Sequence, residues 1–311
     1  MDTVCYDVLA HEQIKDVTVI QLQDFEDNEL LTIKKERSRG EYCWSCTAKL
    51  IKYVLTKYKE KQCTYIDADM KFYSNPIVLI EEMERSNCSV QVVPHRFAPD
   101  YMLEEREKSS GKNCVQFNTF CNTKNSLALL DKWINDCIRD CSLTNGGDQK
   151  YTDSWDKYSF VNISSNMGAG VAPWNINRYK LLKKEGIIIQ DRYTKERRPL
   201  VFYHFQDLVF TEEGKAIVVP YLRCWSIDKI LVNYLYTDYL SELYEKNRYI
   251  FSKYNINCSI QKYITETIIK KKSFLETLEN WHRKSLAVKR HIISIEFLRT
   301  VRKSKAEFDF H

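Results

Sequence analysis

The sequence predicts an α/β fold: a mostly parallel mixed sheet flanked by helices, followed by a C-terminal helical extension. Three observations carry this expectation. Strand-like and helix-like stretches alternate through the first half of the chain, the pattern of strands joined by helical crossovers. The run Cys63-Thr-Tyr-Ile-Asp67 reads as a strand and ends on two carboxylates, Asp67 and Asp69. Beyond Ser226 no glycine or proline remains and the pattern reads as helical to the end. With 311 residues, the chain is long enough to bury one large core.

The elements follow in order. Asp16 to Leu22, with Val17, Thr18, Val19 and Ile20, reads as a strand. Asn28 to Lys35 and Tyr42 to Tyr58 read as helices; in the second, Leu50, Ile51, Val54 and Leu55 recur at helical spacing. After the Cys63–Asp67 strand, Pro76 opens a helix through Glu84, because proline suits a first helical turn. Cys88 to Val93 is a strand closed by Pro94, and Val115 to Phe120 is another. Asn125 to Asp140 is a helix with Leu127, Leu130, Trp133 and Cys137 on one face. Gly146-Gly147 breaks the chain just before Asp148. From Val161 to about Tyr221 the elements shorten to strands at Gly186–Gln190, Leu200–His204 and Ala216–Val219.

Composition narrows the function classes. The 44% hydrophobic and 29% charged residues are ordinary for a water-soluble protein. No apolar run is long enough to span a membrane. The opening Met-Asp-Thr-Val-Cys-Tyr-Asp lacks both a basic n-region and an apolar h-region, so a cytoplasmic location is expected. The eleven cysteines then read as reduced thiols. Cys43-x-x-Cys46 has no second pair and no histidines at zinc spacing, which favours two half-buried thiols on a helix start. A net charge of +5 is too small to imply nucleic acid. The positive charge gathers late, at Lys270, Lys271, Lys272, Lys289, Arg290, Arg302 and Lys303 among others. That tail is either a solvated helical face or a peripheral contact with an anionic membrane surface. Ile292, Ile293, Ile295, Phe297 and Leu298 would equally serve packing.

Four segments carry the chemistry. Glu36-Arg-Ser-Arg-Gly-Glu-Tyr-Cys-Trp-Ser-Cys-Thr47 precedes Tyr65-Ile-Asp-Ala-Asp-Met-Lys-Phe-Tyr-Ser-Asn-Pro76. Then come Gln116-Phe-Asn118-Thr-Phe, with Trp133 and Gly147-Asp148-Gln149-Lys-Tyr151, and lastly Asn166-Met-Gly168-Ala-Gly-Val-Ala-Pro-Trp174-Asn175 with Tyr203-His204-Phe205. At strand period, carboxylates two apart fall on the same side of the strand end, and two hard oxygen ligands there suit Mn²⁺ or Mg²⁺. In this order the segments resemble a bacterial family of GT-A glycosyltransferases, the nucleotide-diphospho-sugar transferase superfamily, similar in layout to the family 8 enzymes. The resemblance spans about residues 5 to 211.

The resemblance implies a GT-A domain over 1–221 and leaves 222–311 as a basic helical C-terminal region. It also implies a manganese- or magnesium-dependent transfer of sugar from a UDP-sugar to a glycan or lipid-linked acceptor, in cell-surface polysaccharide synthesis and with retention of configuration. Asp69 would bind the metal directly, Asp67 would be a second ligand or a ribose contact, and His204 would be the third ligand, against the alternative of a core histidine. Arg37 or Arg39 would clamp phosphate or donor sugar, with Arg37 preferred. Asp148 and Gln149 would contact donor sugar and acceptor, although Asp148 also reads as a helix N-cap; Asn118 would meet a sugar hydroxyl. Gly168 and Trp174 lie in a loop over the donor, where Trp174 either stacks on a sugar or fills core. Relatives of this kind open with a strand, a helix and a second strand before the segment matching Asp2–Leu9, so the chain is expected to lack them. A catalytically impaired binding or scaffold module is the alternative this motivates. A dehalogenase-type phosphatase also uses Asp-x-Asp after a strand, but Met70 stands where that fold places Thr or Val.

Overall fold

A computed structural model of the chain describes residues 3–100, 102–210, 215–218, 226–256 and 292–294. It is a mixed α/β structure with a partly parallel sheet, and it divides into two compact units. One comprises Met1–Ala68 with Asn75–Gly170, the other Asp69–Ser74 with Val171–His311.

The first unit opens with a helix where the sequence suggested no element, α1 (Thr3–Glu12), which buries no residue. The strand expected at Asp16–Leu22 does not form. The chain turns with Asp16 at φ 60° and the Val17 N–H on the Ile14 carbonyl, then enters the short α2 (Leu22–Phe25). A run of β-branched residues favours extended backbone, but it becomes a strand only beside another strand's free N–H and C=O groups, and it has no ladder partner among the described residues.

The next helices form as the spacing suggested. Asp27 caps α3 (Asn28–Lys34) by accepting the Leu30 N–H at 3.1 Å. The long helix α4 (Arg39–Lys57) starts three residues before the expected Tyr42 because Ser38 and Glu41 make a capping box. The Glu41 carboxylate takes both the Ser38 N–H, at 3.0 Å, and the Leu143 N–H, at 3.1 Å.

The strands of this unit are β1 (Gln62–Ile66), then β3 (Val90–Pro94), β4 (Asn113–Cys121) and β5 (Val161–Ile163). The intervening β2 (Met70–Phe72) belongs to the second unit. Between them run α5 (Ile77–Arg85), α6 (Leu103–Ser110) and α7 (Lys124–Arg139). The sheet order is β1-β4-β3-β5. Only the β3–β5 pairing is parallel; β1–β4 and β4–β3 are antiparallel, which corrects the expectation of a mostly parallel sheet. Alternating strands and helices fix the lengths of connections but not which neighbour each strand takes. The central β4 is buried along eight of its nine residues and carries Asn113, Gln116, Asn118 and Thr119 inside the molecule.

One face of the sheet packs against α4 and α7. Ala48, Ile51 and Leu55 of α4 meet Leu129, Leu130 and Trp133 of α7 over Val90, Val92 and Phe120. Trp133 and Trp155 cross edge to face at 5.1 Å, and Phe120 meets Trp155 at 5.8 Å. Such ring pairs add to the area they bury. The unit closes at Gly170, whose φ of +77° and close approach exclude a side chain: an added Cβ would stand 2.8 Å from Val93 Cγ1 and 3.0 Å from Gln116 Nε2.

In the second unit, β6 (Tyr179–Lys183), β7 (Ile188–Asp191) and β8 (Arg197–Pro199) form an antiparallel meander. β9 (Phe202–His204) pairs antiparallel with β2, setting Met70 opposite His204. β10 (Val209–Phe210), β11 (Lys215–Ile217) and β12 (Ile292–Ser294) make a third small sheet. The helix expected after Ser226 is present as α8 (Lys229–Tyr254), capped by Asp228. The expectation of helix to the chain end fails at Ile292–Ser294, where two adjacent β-branched residues pair with β11. The basic tail residues from Lys270 onward lie outside the described residues. Among the described residues no helix is long and apolar enough to cross a membrane.

Replacing Ser38 by Ala removes one half of the capping box. A loss of about 1 kcal/mol in unfolding free energy is expected, read as a lower urea midpoint at unchanged slope.

Candidate functional site

The site begins where β1 ends. The Asp67 N–H still reaches the Gln116 carbonyl at 3.2 Å, so Asp67 continues the ladder by one step. The next two residues, Ala68 and Asp69, turn the chain into β2. The turn, rather than strand alternation, therefore sets the two carboxylates. Tyr65 Oη donates to Asp67 Oδ1 at 2.7 Å, which orients that carboxylate. Burial, then the negative charge of Asp67, raise the pKa of the Tyr65 hydroxyl and keep it a donor.

Asp69 is held by β9. Its carbonyl accepts the Phe205 N–H at 2.8 Å, and its Oδ1 lies 3.0 Å from His204 Nε2. His204 is 6% exposed, whereas the Asp69 side chain is 46% exposed. The His204 backbone N–H donates to the Val171 carbonyl at 3.0 Å, and the imidazole meets the Trp174 ring edge to face at 5.3 Å. Asp67, Asp69 and His204 can each offer a ligand atom with all three within 4.8 Å of one another, a set able to hold a metal ion.

A second group of polar residues lies within the first unit. Asp148 is 5% exposed and Thr47 is 3% exposed. Burial pushes the Asp148 carboxyl up to about 7; the Thr47 hydroxyl and the N–H groups of Asp148 and Gln149 oppose the rise, and the negative charge of Asp67 adds to it. The Thr47 hydroxyl serves both Asp148 and the Tyr65 hydroxyl, linking the buried acid to the tyrosine that orients Asp67. The Trp133 indole N–H donates to the Asp148 carbonyl at 3.0 Å and fixes its backbone. Asp148 stands at the N-cap position of a 3-10 segment, Gln149–Lys157, but makes no capping side-chain bond. Just before it, Gly147 has φ +65° and lies against Trp44, where a Cβ would come within 3.0 Å of the ring.

Asn118 is fully buried on β4 and pairs in register with Tyr65. Neither its amide oxygen nor its amide nitrogen has a hydrogen-bond partner. An unmet buried amide costs folding free energy, so this one is available to a ligand with both donor and acceptor.

The structure separates the remaining expected residues. Arg37 donates to the Ser45 hydroxyl and, at 2.6 Å, to the Ile138 carbonyl in the last turn of α7. Those bonds tie two helices together and favour a packing role, since a cation suits a helix C-terminus. Arg39 is exposed and makes no hydrogen bond or ion pair among the described residues. Gln149 is half-buried, and its carbonyl takes the Thr152 hydroxyl at 2.7 Å. The Gly168 N–H is held by Asn166 Oδ1 at 2.9 Å in a tight turn. Trp174 is half-buried against His204. Sequence reasoning missed the roles of Thr47, Tyr65 and Trp44. The spacing of Trp44 and Thr47 places both on one face of α4, and Tyr65 precedes Asp67 by one strand period, but neither spacing says what lies opposite.

No protein-family model matches the chain. It is similar to two proteins of Bacillus subtilis (strain 168). It is 29% identical over 251 residues to the uncharacterized protein YfnD, covering 78% of this chain and 77% of that protein. To the uncharacterized protein YfnF it is 27% identical over 217 residues, covering 66% of this chain and 69% of that protein.

The raised carboxyl of Asp148 makes stability depend on pH with a definite sign. Its folded pKa of about 7 lies above the ordinary aspartate value of 3.8 that the unfolded chain takes. Between these values the folded protein holds a proton that the unfolded chain has released, so this contribution falls as pH rises. The cost is absent below the unfolded value and complete above the folded one. Asp148→Asn should flatten the profile and stabilise the protein at pH 8 by a few kcal/mol, at about 1.4 kcal/mol per pKa unit. Urea unfolding of both proteins at pH 4 and pH 8 measures it; parallel profiles would refute the assignment.

Proposed function

We propose that the chain is a metal-dependent glycosyltransferase of GT-A type, transferring a sugar from a UDP-sugar to a glycan or lipid-linked acceptor in cell-surface polysaccharide synthesis. The observation that carries this reading is the donor set of Asp67, Asp69 and His204, with ligand atoms within 4.8 Å of one another and the two carboxylates directly after strand β1. Two hard carboxylate oxygens with one imidazole fit Mn²⁺ well, and Mg²⁺ less well. Asp67, Asp69 and His204 would hold the ion. Bound there, it supplies Lewis-acid charge for a departing nucleotide diphosphate.

The chain's own residues do the rest. The Tyr65 hydroxyl donates to one oxygen of Asp67 and orients that carboxylate. The Asn118 amide offers a donor and an acceptor to a sugar hydroxyl. Asp148, poised at about 7, takes a hydrogen bond from a hydroxyl when ionised and gives one when protonated. Of the two arginines, Arg39 has the uncommitted guanidinium for a phosphate, since Arg37 is engaged with Ser45 and Ile138. Retention of configuration, a cytoplasmic location and peripheral contact with the inner membrane surface complete the reading.

Mn²⁺ with UDP should raise the melting temperature, because a ligand of the folded state alone stabilises it by about 2.7 kcal/mol at a hundredfold excess over Kd. Asp69→Asn should weaken Mn²⁺ and nucleotide binding together. Asp148→Asn should leave both nearly intact and lower turnover. Calorimetry separates the two; equal losses of nucleotide affinity would overturn these roles, and unchanged Mn²⁺ affinity in Asp69→Asn would remove the metal site.

A further inference from the structure

Asp69 depends on a residue that no metal-ligand motif contains. Its carbonyl is bonded to the Phe205 N–H and its carboxylate to His204, so it is held at two points by adjacent residues of one strand end. Phe205 is fully buried, and its ring is gripped from α8. The Tyr239 ring stacks on it with centroids 3.8 Å apart and planes 13° apart, while Tyr236 meets it edge-on at 5.0 Å.

The same turn of α8 also grips β2. Lys71, two residues beyond Asp69, pairs with Asp238 at 2.8 Å and Glu242 at 2.6 Å. Residues 238, 239 and 242 therefore reach both strands that carry the site, one by charge and one by ring stacking. The ion pairs are partly exposed, with the Lys71 side chain at 23% and the Glu242 side chain at 52%, so they add little against water. The stack is different in kind. It removes the freedom of Phe205 to rotate, and with it the freedom of the amide that fixes Asp69.

We propose that Tyr239 is a positioning residue for the metal site, acting through the face of its ring on Phe205 to hold the Asp69 carbonyl and the His204 imidazole in place. This rests on the metal-site reading above and extends the site to a helix whose sequence carries no ligand signature. Residues behind metal ligands of this kind commonly set affinity through the orientation of the ligand rather than through a bond to the ion.

The test is Mn²⁺ affinity, measured by the electron paramagnetic resonance signal of the free ion, on the full chain and with no substrate. Tyr239→Phe keeps the ring and should bind Mn²⁺ as the parent does. Tyr239→Leu keeps bulk and loses the stack, and should bind it at least about tenfold more weakly. Leu231→Ala, two turns earlier on α8 and fully buried, controls for general loosening of the helix. It should lower the melting temperature while keeping Mn²⁺ affinity. Parent-like affinity in Tyr239→Leu, or an equal loss in Tyr239→Phe or Leu231→Ala, overturns the proposal. If the parent and Asp69→Asn are both without Mn²⁺ binding, the metal site itself fails and the proposal with it. If Asp69→Asn loses affinity and Tyr239→Leu does not, the metal site stands and only the role of Tyr239 falls.

Discussion

The structure around the candidate site depends on how the chain satisfies its backbone after β1. Asp67 is the last residue bonded to β4, through the Gln116 carbonyl. Two residues later, the Asp69 carbonyl is taken by Phe205. A buried peptide group without a partner is expensive, so the chain leaves one ladder only where it can enter another. That constraint places two carboxylates two residues apart in a turn, each with its backbone already bonded. Their side chains are oriented from both sides, Asp67 by the Tyr65 hydroxyl and Asp69 by His204.

Around Asp148 a different balance operates. Burial works against its charge, and only a hydroxyl and two N–H groups offset that. A carboxyl poised near neutrality can act as donor or acceptor, whereas an exposed aspartate is only an acceptor at the same pH. Asn118 shows the same tolerance of cost. The packing of Phe120, Trp133 and Trp155 against α4 and α7 supplies the apolar burial that makes these polar defects bearable. Stability is supplied by one part of the unit and given up in another, as stored strain at functional sites commonly is.

Some local structure could be read directly. The helices at 28–34, 39–57, 77–85 and 124–139 and the strands at 62–66, 90–94 and 113–121 lie where periodicity, proline and capping residues place them. These signals act within one turn or one strand, so neighbours in sequence are enough. The Asp16–Leu22 strand failed for the opposite reason: its propensity was real, but a strand needs a partner from elsewhere. Ile292–Ser294 failed in mirror image, finding a partner in β11 that no local pattern announces.

The site divides along the same line. Sequence alone determined that Asp67 and Asp69 would stand at a strand end, because their separation and the run before them are local facts. It also determined that Gly147 would permit a close approach just before Asp148. Only the tertiary structure decided that His204, 135 positions later in the numbering, would meet Asp69, because β9 chose β2 as its partner. It likewise sent Arg37 to a helix end, brought Thr47 to Asp148, and laid Tyr239 on Phe205. Those choices follow from which backbone groups and apolar faces were left unpaired once the local elements had formed, and that is a property of the whole chain rather than of any window within it.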